Sequence, residues 1–187
     1  MTGLGIYLLA VFLLLVSAIF VLRGFVRRDY STRGRLSVVV AALQAIVFFV
    51  YGGFPALYLP GDWPVSRVRP WLRESGLVCI VTGLGILILG MLWLGLLRSL
   101  GRKTTGLIQG GFYRFSRNPQ VLGCVLYIVG FVILWPSWYA AGWGLLFLPI
   151  IHVMVLTEEE HLLTIFGSDY RSYCERVPRY LGVPKRR

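Results

Sequence analysis

Residues 109–123 read QGGFYRFSRNPQVLG, a polar stretch set between two long apolar runs. How this stretch is read decides the fold. Asn118-Pro119 has the form of a helix start: Asn suits the cap, Pro fits the first helical position, and the apolar residues that follow continue as a helix. The open N–H groups of that first turn and the positive end of its dipole favour an anionic group. Arg114 and Arg117 stand beside it, fit to grip either the carboxylate of a ligand or the phosphate of a lipid. Gly106, Gly110 and Gly111 give the loop the freedom to bring backbone close to a ligand. Two readings stay open at this level, a basic loop that orients a membrane protein and a binding site for a polar molecule.

The rest of the chain is oily. Of its 187 residues 57% are hydrophobic, against roughly 45–50% in a soluble domain, and the mean hydropathy is +0.72. This composition defines a membrane protein and, at this length, one compact bundle without a separate soluble catalytic domain. Apolar runs at Leu4–Leu22, Leu36–Leu59, Gly76–Leu97, Pro119–Leu134 and Trp138–Leu156 predict about five transmembrane helices, the fourth short. Gly52, Gly53 and Pro55 predict a kink or early end in the second. Trp135, Pro136 and Ser137 predict a tight hairpin between the last two, with aromatics at the interface. A signal peptide is disfavoured for the first run, because no basic region precedes it and Arg23–Arg28 follow it like a stop-transfer flank.

Charge fixes an expected orientation. Lys and Arg number five in residues 23–35, five in 98–118 and six from 157 on, but three in 60–75 and none in 135–137. The positive-inside rule then places the amino terminus outside, and the loop at 109–123 and the tail on the cytoplasmic side. A formal net charge of +11 spread in short blocks between apolar runs suits anionic headgroups, and no nucleic-acid partner is expected. Cys79, Cys124 and Cys174 are too dispersed for a metal or redox site. His161 has no second His nearby to build a zinc site, so no metal is expected. His152, inside the fifth run, reads as a hydrogen-bonded packing residue or a proton carrier.

The tail, TEEEHLLTIFGSDYRSYCERVPRYLG (157–182), mixes aromatics, acids and bases at helical spacing. The fifth helix is expected to run past the membrane to Phe166, stop at Gly167 and give way to a short helix with Ser168 as cap. Residues three and four apart share a helix face, which sets Glu158 with Leu162 and Ile165, and Glu159 with Leu163 and Phe166. Both acids are therefore expected to point inward and to need a cationic partner, whereas Glu160 can face water.

Together these residues resemble a known family. The pattern Gly111-x-Tyr113-Arg114-x-x-Arg117-Asn118-Pro119-x-x-x-Gly123, followed by Glu158-Glu159-x-x-Leu162-x-x-x-Phe166-Gly167-x-x-Tyr170-x-x-Tyr173 and Arg176-Val177-Pro178-Arg179, looks like the isoprenylcysteine carboxyl methyltransferase and phospholipid methyltransferase superfamily. The resemblance covers about residues 104–184, and residues 1–103 share only the hydropathy. It implies an all-α integral membrane enzyme that binds S-adenosylmethionine in a cytoplasm-facing pocket closed by a carboxy-terminal helical segment. The acceptor it implies is a lipid or lipophilic small molecule entering from the bilayer, methylated on oxygen, nitrogen or sulfur. By position it assigns Gly111, Tyr113, Arg117, Asn118, Pro119 and Gly123 to the cofactor loop and Glu158 and Glu159 to the acidic motif that contacts the cofactor, and implies Arg114, Tyr170 and Arg179 in closing the site. If the acceptor is a carboxylate or thiolate, Arg117 or Arg114 is the catalytic candidate to hold it. The division implied is 1–103 as membrane helices and 104–187 as cofactor-binding core.

Two positions depart from the family's commonest pattern, which has His where Asn118 stands and Tyr where Val121 stands. Asn keeps a hydrogen-bonding side chain but cannot serve as a base at neutral pH, and Val121 removes a ring and a hydroxyl. Two other functions remain in view: a non-catalytic membrane protein that retains the pocket for a ligand or as a scaffold, and an NADPH-dependent enzyme like the membrane sterol reductases. The two acids match a phosphate-rich cofactor poorly.

Overall fold

The computed structural model describes residues 3–58, 69–102 and 106–182. All regular structure among them is helical. Five apolar helices make the bundle: α1 (Gly3–Arg33), α2 (Val38–Tyr58), α3 (Pro70–Leu94), α4 (Pro119–Leu134) and α5 (Trp138–Arg176). Three of them, α1, α3 and α5, are long and apolar enough to cross a bilayer, while α4 and the apolar part of α2 are shorter. α2 runs on through Gly52, Gly53 and Pro55 to Tyr58, so the expected early end does not occur. The expected end of that run, Leu59, lies outside the described residues. α3 starts at Pro70, earlier than the apolar run, and stops at Leu94, where Gly95 takes a φ of +88°.

Glycines set the closest contact in the bundle. α3 presents Gly76, Gly83 and Gly90, seven residues apart, and antiparallel α4 presents Gly130 and Gly123 to them. A Cβ at Gly83 would stand 2.5 Å from the Tyr127 nitrogen and 2.6 Å from the Gly123 oxygen, and one at Gly130 would stand 2.6 Å from the Gly76 oxygen. With no side chain between them, two backbones touch directly, which is how membrane helices gain packing when lipid is as apolar as their own side chains.

α1, α2 and α5 build the other wall around a core that includes Leu22, Leu36, Trp143, Ile150 and Val155. Between Val21 and Val26 the α1 ladder widens into a π-type turn. Arg23 and Arg27 both reach Glu160 there, at 2.8 and 2.9 Å. Glu160 does reach water, its side chain 41% exposed, but it is also paired with α1, its partners too distant in sequence to be read from helical spacing. The α1–α2 turn is closed by Asp29, whose Oδ2 accepts from the Ser37 backbone N–H at 2.8 Å and the Ser37 hydroxyl at 2.6 Å. Between α4 and α5, Ser137 Oγ accepts from the Ala140 N–H at 3.0 Å, capping α5, and Trp138 stands exposed as an interfacial aromatic.

α5 is 39 residues long, about twice what the hydrocarbon core requires. Its apolar part, Trp138–Leu156, is span enough, and the charged remainder from Thr157 extends beyond it. At Gly167 φ turns to +49°, a break that glycine tolerates, and helix resumes to Arg176.

The glycine seam makes a sharp prediction. Gly83→Ala pushes a methyl into α4 backbone and should lower stability by about 1–3 kcal/mol. Gly85→Ala, with nothing within 4 Å of its Cβ position, should be neutral or gain up to about 1 kcal/mol from helix propensity. Thermal unfolding of both variants in detergent, followed by circular dichroism, measures the contrast.

Candidate functional site

The site is organised by Glu159 on α5, 7% exposed. Its Oε2 accepts two hydrogen bonds from Arg179, from Nε at 3.0 Å and Nη2 at 2.7 Å. Its Oε1 lies 3.0 Å from Arg117 Nη1, an ion pair that is off the line of a hydrogen bond. Arg117 Nη1 also donates to Cys174 Sγ at 2.6 Å. One buried carboxylate therefore faces a guanidinium from the loop before α4 and another from the tail after α5.

Backbone bonds hold those two segments in register. The Arg117 N–H donates to the Pro178 oxygen at 3.0 Å, and Asn118 Nδ2 donates to the Arg179 oxygen at 3.1 Å. Here the structure corrects the sequence reading. Asn118 does occupy the cap position and Pro119 the first helical one, but the Asn118 side chain makes no capping bond and is committed to the tail. Ser116 Oγ instead takes the Asn118 N–H at 3.1 Å. Further back, Tyr173 OH donates to the Tyr113 oxygen at 2.7 Å, and Arg176 Nη2 to Gln109 Oε1 at 3.0 Å. Residues 109–118 are thus clasped by the last helical turns and the tail.

Above this clasp lies a cavity of about 490 Å³, within the usual range for small-molecule sites. Its character changes along α5, from Phe147, Ile151 and Met154 to Glu158 and Glu159. Tyr113, Arg117 and Asn118 line the polar end. Ala45 and Phe48 of α2 and Leu87 and Met91 of α3 line the apolar end. Burial, with the neighbouring charge of Glu159, pushes the Glu158 carboxyl up to about 7. Burial likewise raises the Tyr113 phenol, and its OH has no hydrogen-bond partner. Tyr30 stacks on His161 at 4.0 Å between centroids, and desolvation lowers that imidazole.

The structure brings together Tyr113, Arg117, Asn118, Glu158, Glu159, Tyr170 and Arg179. It sets the others apart. Gly111, at φ +59°, is pressed against Trp93, where a Cβ would stand 2.6 Å from the indole, so its freedom serves packing and not approach to a ligand. Gly123 belongs to the α3 seam, and buried Pro119 starts α4. Arg114 is exposed, without an ion pair among the described residues. His152, also exposed, has Nδ1 3.0 Å from Tyr180 OH and so ties α5 to the tail. Sequence reasoning missed Gln44 and Tyr30 in the cavity wall, although a lone amide in an apolar run is itself a signal.

Comparison with known proteins gives the family. A family model described as phospholipid methyltransferase matches residues 71–169, and the chain belongs to that family of membrane methyltransferases. The nickel-cobalt-cadmium resistance protein NccN of Alcaligenes xylosoxydans xylosoxydans is 28% identical over 110 residues, 59% of this chain and 51% of that protein. Protein-S-isoprenylcysteine O-methyltransferase B of Arabidopsis thaliana is 25% identical over 155 residues, 80% of this chain and 72% of that protein. The chain thus spans about half the length of the first relative and under three quarters of the second. No solved structure matches.

The clasp can be tested without any ligand. Arg179→Met removes the tail's hold on Glu159, and chymotryptic cleavage at Tyr180 should accelerate several-fold. Arg171→Met, an exposed position, should leave the rate unchanged.

Proposed function

We propose that this chain transfers a methyl group from S-adenosylmethionine to a lipophilic acceptor at the cytoplasmic face of a membrane. One observation carries the reading: a single cavity joins an end lined by paired acids and a guanidinium to an apolar end inside the bundle. S-adenosylmethionine, when bound, supplies an electrophilic methyl on a sulfonium. Its ammonium and sulfonium call for acids, and its carboxylate for a cation and N–H donors.

The residues present fit that group. Glu158 and Glu159 give the acidic wall. Arg117 and the first turn of α4 give the anion-binding wall, with Asn118 holding the tail beside it, and the Tyr113 hydroxyl, Arg117 Nε and Glu159 Oε1 are polar atoms without hydrogen-bond partners among the described residues. Gly111, Pro119 and Gly123 act by placing the loop and α4. Arg117 is the cation available to an anionic acceptor, since Arg114 lies outside the cavity. Methyl transfer needs positioning and exclusion of water above all. The Arg179 clasp supplies the second, and residues 104–187 the cofactor-binding core.

Calorimetry on detergent-purified protein tests the proposal. Wild type should bind S-adenosylmethionine saturably and Glu159→Ala should not; absence of binding by folded wild type overturns the reading. Binding without turnover on any lipid extract would favour the non-catalytic alternative, which Asn118 and Val121 keep open.

A pH profile probes Glu158 separately. With its carboxyl near 7, it holds a proton and is neutral below that pH, and is an anion above it. Affinity for the cationic cofactor should therefore rise with pH, on the order of tenfold between pH 6 and 8. Glu158→Gln should flatten the rise.

A further inference from the structure

Among the described residues, four buried side-chain atoms lack a hydrogen-bond partner: Gln44 Oε1, Tyr113 OH, Arg117 Nε and Glu159 Oε1. All four belong to residues that line the one cavity. Three of them cluster at the polar end and are accounted for by the cofactor. Gln44 is not. It sits on α2, outside the 71–169 family match, about two turns into an apolar helix.

Its neighbours sharpen the point. Ala41, Ala45 and Phe48 share its helix face and line the same wall, and Phe147 and Ile151 of α5 line the cavity with them. An amide among such residues inside a membrane bundle is costly unless something meets it. The oxygen is enclosed in this structure, but the terminal amide torsion of Gln is soft, and a modest rotation turns it to the lumen.

We propose, on the basis of the methyltransferase reading, that Gln44 selects the acceptor: its amide oxygen receives a hydrogen bond from an O–H or N–H carried beside the acceptor's lipophilic chain. The acceptor class is then an amphiphile with a neutral or cationic donor head. Ala41 and Ala45, the small residues flanking Gln44 on its helix face, leave room for that head, and the aliphatic wall takes the chain.

The test uses the full chain in lipid nanodiscs doped at equal mole fraction with 1-hexadecanol or its methyl ether, which differ in a single donor. The unfolding temperature of wild type should rise more with the alcohol than with the ether, and Gln44→Leu should erase the difference. Equal response of wild type to both, a preference for the ether, or a preference that survives in Gln44→Leu overturns the proposal. Without additive, Gln44→Leu should be at least as stable as wild type, since it deletes an unmet amide; a clear loss of stability would show a structural partner and overturn it too. S-adenosylmethionine binding by Gln44→Leu, measured in parallel, should match wild type. Loss of cofactor binding by both proteins with the alcohol preference intact would sink the methyltransferase reading alone.

Discussion

A buried carboxylate cannot stay charged without partners, and Glu159 obtains two, Arg117 and Arg179, from segments about 40 and 20 residues away along the chain. That requirement ties three parts of the molecule together. Arg117 ends the loop that starts α4, Arg179 lies in the tail beyond α5, and Glu159 is on α5 itself. The Arg117 backbone N–H, bonded to the Pro178 oxygen, and the Asn118 side-chain amide, bonded to the Arg179 oxygen, join the same segments. The same pairing divides labour between adjacent acids. Glu159 is ion-paired with its arginines, whereas Glu158 has no such partner among the described residues and is pushed toward neutrality by burial and by the charge beside it.

The glycine seam between α3 and α4 supplies a second constraint. Backbone contact at Gly83–Gly123 and Gly76–Gly130 leaves no lumen between those two helices. The cavity lies on their other side, lined by residues of α2 and α5. Gly123 thus bears on the site by fixing the helix that carries Arg117 and Asn118 at its start.

Much of this was legible in the sequence because it depends on local chemistry. Asn118-Pro119 announces a helix start, Gly167 a break, Trp135–Ser137 a hairpin, and the spacing of Glu158 and Glu159 an inward face. What was not legible depends on partners far along the chain. The Asn118 side chain leaves its cap for a carbonyl 61 residues away. Glu160 meets Arg23, 137 residues away, through a π-type turn that no pattern in the apolar run betrays. Gly111 serves Trp93, a contact invisible until α3 is placed.

The two ends of the cavity also come from different parts of the chain. Its polar end is built by residues 113–118, 158–159 and 170–173, mostly within or beside the stretch matched by the family. Its apolar end takes Ala41, Gln44, Ala45 and Phe48 from α2, which lies outside that match, as does Tyr30 of α1, stacked on His161 beside the acids. Under the proposed function a methyl donor would constrain the first end tightly, since charge and geometry must both be met. The second need only accommodate a chain and one polar head, which α1 and α2 can do with many side-chain combinations at little cost to packing. Under that proposal, a bundle built this way would keep one cofactor chemistry while its first two helices redefine what is methylated.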